Sequence, residues 1–177
     1  MKIIFFTLLF SSIIISCSNN KYKFFKTGNN NFTIDVPSNL IQPSEIEDGS
    51  LINLVEDTAD ILNGLSIVIY DDSILEEGDS ISISDYSNYI AENILDETLN
   101  SNFIFEPKDT IINNYNCKVF KINGSYNNDL SNKTVCYYCC IYKGKFNYYN
   151  VTIMCSEDKL TSYMPVINKV FNSFKEK

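Results

Sequence analysis

Three closely spaced cysteines are the residues with the most obvious chemical potential. Cys136, Cys139 and Cys140 form a Cys-x-x-Cys-Cys motif. A redox pair would need this spacing at a helix N-terminus, and a zinc site would need a second pair of ligands at matching spacing. Here the cysteines lie in a continuous run of β-favouring residues, whose side chains alternate between two faces, so the three sulfurs cannot converge on one ion. We predict buried thiols, with a cross-strand disulfide or a metal or redox site as the alternatives.

The sequence leaves disulfide pairing open for all the cysteines that follow residue 17. These are Cys117, Cys136, Cys139, Cys140 and Cys155. Because their number is odd, at least one thiol has no partner within the chain.

The basic residues exclude several kinds of chemistry. The chain has no histidine, and all 14 of its basic residues are lysines. Without histidine there is no Ser-His or Cys-His nucleophile pair and no imidazole general base. Without arginine there is no bidentate clamp for phosphate, and a net charge of -8 repels a polyanion. We therefore predict a protein that is not an enzyme, has no cofactor or metal, and does not bind nucleic acid.

The N-terminus resembles the signal of a bacterial lipoprotein. Met1 and Lys2 precede an apolar run, residues 3–15, that is too short to span a bilayer. The next residues, Ile14-Ile15-Ser16-Cys17, are similar to the lipobox at which such signals are cut. The resemblance implies cleavage before Cys17 and lipidation of its sulfur. The alternative is an ordinary secretory signal.

We accordingly divide the chain into three parts. Residues 1–16 are predicted to be a lipoprotein signal peptide, residues 17–27 the lipidated N-terminus and tether, and residues 28–177 a single domain. The lipid would hold the protein in the cell envelope. Ser18 replaces the Asp that retains lipoproteins in the inner membrane of enterobacteria, which favours the outer membrane. Whether the domain faces the periplasm or the exterior is left open.

Hydrophobic periodicity and turn residues predict an α+β domain. The predicted strands are residues 22–26, 32–36, 51–56, 65–70, 103–106, 117–122, 134–143 and 146–155. One helix is predicted over 84–99, capped by Ser84, with Tyr86, Ile90 and Ile94 on its apolar face and Tyr89 alongside. A second helix follows residue 160, with a break or restart near Thr161–Pro165. Strands 134–155 are apolar on both faces, so we predict an antiparallel sheet sandwiched between the two helices.

The order of these elements resembles the PsbP-like and Mog1-like domains. The resemblance rests on a hairpin strand that ends in proline, Phe32-Thr33-Ile34-Asp35-Val36-Pro37, and on a final helix that ends in Ser173-Phe174. It implies an α/β/α sandwich and a binding domain with no chemistry of its own. We expect a protein or envelope partner. The alternative is a carrier of a small molecule or lipid, with its pocket between sheet and helix.

Acidic residues are concentrated in the first half of the domain. Residues 35–109 contain 18 acidic residues and one lysine. The densest group is predicted to lie in one loop and consists of Asp71, Asp72, Glu76, Glu77 and Asp79. We interpret this group as a possible docking surface for a cationic partner. A weak Ca²⁺ site and a merely solvated face are the alternatives.

Overall fold

The computed structural model describes residues 22–29, 31–43, 49–56, 64–76, 79–125 and 133–177. The predicted signal peptide, Cys17 and Glu77 lie outside these residues. Within them, no helix is long and apolar enough to cross a membrane.

Twelve strands and two helices make up the described part of the chain. The strands are β1 (Phe24–Thr27), β2 (Phe32–Pro37), β3 (Leu40–Ile41), β4 (Ile52–Glu56), β5 (Ser66–Ser73), β6 (Leu75–Glu76), β7 (Asp79–Ser80), β8 (Leu99–Ile112), β9 (Tyr115–Ser125), β10 (Thr134–Lys143), β11 (Asn147–Ser156) and β12 (Lys175–Glu176). The helices are α1 (Ile83–Glu97) and α2 (Leu160–Ser173), the latter preceded by a 3₁₀ turn at Glu157–Lys159.

The main sheet has seven strands in the order β3-β4-β5-β11-β10-β9-β8, and every neighbouring pair is antiparallel. A smaller sheet has the order β1-β2-β12, so that β2 lies between the first and the last of the described strands. Helix α1 packs on β8, β9 and β10, whereas α2 packs on β2 and β11. The predicted antiparallel sheet between two helices is confirmed.

Burial on both faces of the main sheet follows from the alternation of side chains along β10. Cys140 and Tyr142 belong to the core on the α2 side, while Cys139 and Ile141 belong to the core on the α1 side. The α2-side core is rich in aromatic rings and centres on Phe174, which is fully buried. The double-sided burial predicted for strands 134–155 is therefore confirmed.

Several predicted boundaries were wrong. Strand β1 places residues 24–27 in the folded domain, paired with β2, instead of in the tether. Helix α1 is capped by Ser82, not Ser84, because the Ser82 Oγ accepts a hydrogen bond from the backbone N–H of Asp85 at 3.1 Å. Asp71 and Asp72 do not lie in a loop, because β5 continues to Ser73.

The strand predicted over 103–106 continues through Pro107, and the helix predicted to break near Pro165 is continuous. Pro107 lies within β8, an edge strand whose outer side needs no ladder hydrogen bonds, next to a register shift between Phe105 and Lys108. Pro165 lies early in α2, which continues through it after the 3₁₀ turn. Burial of Val166 and Ile167 offsets the hydrogen bond that the proline cannot donate.

Candidate binding groove

Helix α1 covers only part of the sheet face on which it packs. It lies over β8, β9 and β10, and a groove of about 500 Å³ runs beside it above β5 and β11. We call this the α1 groove. Its lining consists of Val68, Tyr70, Asp72, Tyr89, Ile90, Asn93, Ile94, Glu97, Tyr137, Asn150, Thr152 and Met154.

The sheet residues of the groove come together because of strand register. Val68 is paired with Thr152, and Tyr70 with Asn150, across β5 and β11. Alternate residues of a strand point to the same face, so these four side chains share the face that carries α1.

Two tyrosines fix α1 against the sheet. The rings of Tyr86, on α1, and Tyr148, on β11, are stacked with centroids 5.0 Å apart. The Tyr148 hydroxyl donates a hydrogen bond to the carbonyl oxygen of Ile81, just before the helix, at 2.8 Å. These contacts hold the first turn of α1 and thereby set one wall of the groove.

The Asp72 carboxylate is oriented at one end of the groove. Its Oδ2 accepts a hydrogen bond from the hydroxyl of Tyr86. Burial, and then this bond to Asp72, raise the pKa of Tyr86 well above its ordinary value, so the phenol stays protonated and remains the donor. Within the described part of the chain, the second oxygen of Asp72 accepts no hydrogen bond.

The floor of the groove contains buried polar groups. Asn150 is 3% exposed, and its Oδ1 accepts a hydrogen bond from the Thr152 hydroxyl at 3.0 Å. The Cys139 sulfur lies 3.4 Å from the same hydroxyl oxygen. Among the described residues, the Asn150 Nδ2 has no assigned acceptor. The floor therefore presents an amide donor to whatever occupies the groove.

The charge along the groove is uniformly negative. Helix α1 carries four acidic residues and no basic one. Two of them, Asp96 and Glu97, lie in its last turn, where the negative end of the helix dipole makes acidic residues unfavourable. Asp72 and Glu97 line opposite ends of the groove, and its lining includes no lysine.

The chain is similar to known proteins in structure but not in sequence. No protein-family model and no curated protein sequence matches it. Solved structures do. Cyanobacterial PsbP (CyanoP) from Synechocystis aligns with a TM-score of 0.62 at 9% identity, over 88% of this chain and 94% of that one. The chain has a PsbP/Mog1-like fold.

Two further structures support the PsbP/Mog1-like fold. A Mog1 mutant gives a TM-score of 0.58 at 13% identity, over 86% of this chain and 95% of that one. LpqN of Mycobacterium tuberculosis, described as involved in cell envelope biogenesis, gives 0.58 at 13% identity, over 89% and 92% of the two chains. The predicted resemblance to these domains is confirmed at the level of the fold.

In this PsbP/Mog1-like domain, the described acidic residues singled out in the sequence lie on two elements, Asp71 and Asp72 on β5 and Glu76 and Asp79 in the backbone of the β6–β7 hairpin. Asp71 accepts a hydrogen bond from the Asn147 side chain at 2.8 Å, so it is occupied within the sheet. Glu76 and Asp79 are paired in the β6–β7 hairpin. Of the described members of the group, only Asp72 lines the α1 groove. The described residues include no group of three or more potential ligands that could hold a metal.

Sequence reasoning missed Asn150 and Thr152. The available signal was the pair of polar residues, Asn150 and Thr152, in the otherwise apolar strand β11. Buried polar side chains are uncommon unless they are satisfied or functional.

All five described cysteines are buried and free. Cys136 is directly opposite Cys155 across β10 and β11. A hydrogen bond with the Cys140 thiol lowers the pKa of Cys117. Burial raises the pKa of Cys139 to about 12, so this thiol stays neutral beneath the groove.

A second cavity, also of about 500 Å³, lies where the ends of β8, β9 and β10 meet the start of α1. Its lining combines the apolar residues Ile83, Ile111 and Cys117 with the polar or charged residues Asp109, Thr110, Asn116 and Lys143.

Proposed function

We propose that this protein is a membrane-anchored bacterial lipoprotein whose domain binds a protein or envelope component without catalysis. The binding site is the α1 groove. The observation that carries this proposal is the combination of a 500 Å³ groove, a buried amide donor at Asn150 and carboxylates at both ends.

The envelope setting is supported by two independent features. The lipobox-like residues ending at Cys17 supply the anchor. The fold is shared with LpqN, which is described as involved in cell envelope biogenesis. The absence of an Asp after Cys17 favours the outer membrane.

A non-enzymatic role is supported by the chemistry of the groove. The chain has no histidine to serve as a base. Asp72 and Glu97 are separated by most of helix α1, from Tyr86 to Glu97, which corresponds to roughly 16 Å at the helical rise of about 1.5 Å per residue. Two carboxylates that act together on one bond lie about 5–10 Å apart. The groove is therefore better suited to binding than to acid–base catalysis.

The second candidate function is a small-molecule or lipid carrier. It is favoured by the second cavity, where Ile83 and Ile111 offer apolar surface beside polar groups. The α1 groove is large enough for such a ligand, but an acyl chain lying on Asn150 would remove its Nδ2 from water without supplying an acceptor, at a cost of about 1–3 kcal/mol.

A crosslinking experiment in living cells tests the binding role. A photoreactive residue replaces Tyr89, which lines the groove and is 58% exposed. The control replaces Phe25, which is 41% exposed on β1 in the smaller sheet. We expect one stoichiometric protein or glycan adduct from position 89 and none from position 25. Equal adducts from both positions, or only a lipid adduct, would overturn the proposal.

A further inference from the structure

We infer that the occupant of the α1 groove is an extended basic peptide that carries two lysine or arginine side chains four residues apart. This inference rests on the proposed function, because it names the partner class for the same site.

The first argument is the unbalanced negative charge of the groove. Glu97 lies in the last turn of α1, where it opposes the helix dipole and no basic residue compensates it. Within the described part of the chain, neither Asp72 nor Glu97 forms an ion pair. Asp72 binds the Tyr86 hydroxyl with one oxygen only, and Glu97 lies where it opposes the helix dipole, so a cationic ligand is the partner that both carboxylates fit.

The second argument is spacing. Tyr86, whose hydroxyl binds Asp72, and Glu97 are separated by roughly 16 Å along the axis of α1, and an extended chain advances about 3.3 Å per residue. Side chains of an extended peptide point to the same side only at even spacings. Two basic residues four apart have Cα atoms about 13 Å apart, and their long side chains span the remaining distance to Asp72 and Glu97.

The third argument comes from the floor of the groove. The Nδ2 of Asn150 is a hydrogen-bond donor, and a peptide carbonyl between the two basic residues is an acceptor that it can bind. Tyr89, which lines the groove and is 58% exposed, is available to pack against the cationic side chains and their methylene stems. A free polyamine has the cations but no carbonyl for Asn150, and a fatty acid or anionic glycan is repelled by the carboxylates.

The test uses the purified full-length chain and a fluorescein-labelled acetyl-Lys-Ala-Ala-Ala-Lys-amide peptide, followed by fluorescence anisotropy. Glu97→Gln and Asp72→Asn are expected to weaken binding about two- to fivefold each, since each removes one partly exposed ion pair. The matched control is Glu92→Gln, which makes the same charge change on α1 but does not line the groove. Binding should also weaken as salt is raised.

A thermal melt of each variant separates binding from folding. Glu97→Gln should leave the melting temperature unchanged or raise it, because it removes an acidic side chain from the negative end of the helix. Weaker peptide binding with an undiminished melting temperature supports the inference.

Three results would overturn it. One is an equal loss of binding in Glu92→Gln, which would mean non-specific attraction to an acidic helix. Another is equal binding of the corresponding Glu-Ala-Ala-Ala-Glu peptide. The third is displacement of the lysine peptide by spermine at the same concentration as by unlabelled peptide. If the peptide fails while position 89 still gives its crosslink in cells, the groove remains the binding site and only the partner class is wrong.

Discussion

Replacing Phe174 by alanine should remove a large part of the stability of the domain. Phe174 is 0% exposed and follows α2 directly. Its ring stacks on Tyr142 with centroids 4.3 Å apart and lies 5.1 Å from the ring of Tyr149 and 5.8 Å from that of Phe32. These rings come from both sheets, so this one side chain joins α2, β2 and the main sheet.

The expected loss is about 4 kcal/mol, since truncation of a buried phenylalanine costs about 3–5 kcal/mol. A domain of this size has a total stability of about 5–15 kcal/mol. With a slope of about 2 kcal/mol per M urea, the unfolding midpoint should fall by about 2 M. Circular dichroism during urea titration measures this midpoint.

The matched control is Phe146→Ala. Phe146 lies at the β10–β11 turn and is 65% exposed, so its loss should change the free energy of unfolding by no more than about 0.5 kcal/mol. A loss below about 1.5 kcal/mol for Phe174→Ala, or equal losses for the two variants, would refute the assignment of Phe174 as the ring that joins the two sheets.

Three further predictions concern the anchor and the thiols. Cys17→Ala should abolish incorporation of labelled palmitate and release the protein from membranes; continued labelling would contradict the lipobox interpretation. Alkylation of native and then denatured protein without reductant should find the thiols protected until unfolding and mostly free, and two disulfide pairs would contradict this. The free energy of unfolding should fall as pH rises from about 9 to about 12, because the buried Cys139 thiol binds its proton more tightly in the folded state than in the unfolded one. Cys139→Ala should reduce this fall by at most about 1.4 kcal/mol per pH unit, and an unchanged slope would show that Cys139 does not contribute.

The central strands could be predicted from the sequence because their β-favouring residues and turn residues are local signals, which do not depend on the rest of the fold. Strand β10 begins and ends where the sequence indicated, at Thr134 and Lys143. Its burial on both faces could also be predicted, since both alternating sets of its side chains are apolar or aromatic. The final helix was predicted from the same kind of periodicity.

The errors arose where tertiary context overrides a local signal. Pro107 is tolerated because β8 is at the edge of the sheet, and no local pattern reports which strand lies at an edge. Ser82 caps α1 instead of Ser84, which shifts the helix start by one residue. Tyr89 was placed alongside the apolar face of α1, and it is mostly exposed at the groove because α1 covers only one side of that sheet face.

The α1 groove results from the unequal covering of the two faces of the sheet. On the α2 side, the helix, the β1-β2-β12 sheet and the ring of Phe174 together form a continuous aromatic core. On the other side α1 is the only helix in the described residues, and it contacts β8, β9 and β10 but leaves β5 and β11 beside it. An uncovered apolar strip there would expose a hydrophobic surface. Strand β11 instead places Asn150 and Thr152 on that strip. Tyr149 and Val151 alternate with them along the strand and belong to the opposite core. The same strand therefore contributes to a closed core on one face and a polar floor on the other, which is why binding is expected on the α1 side.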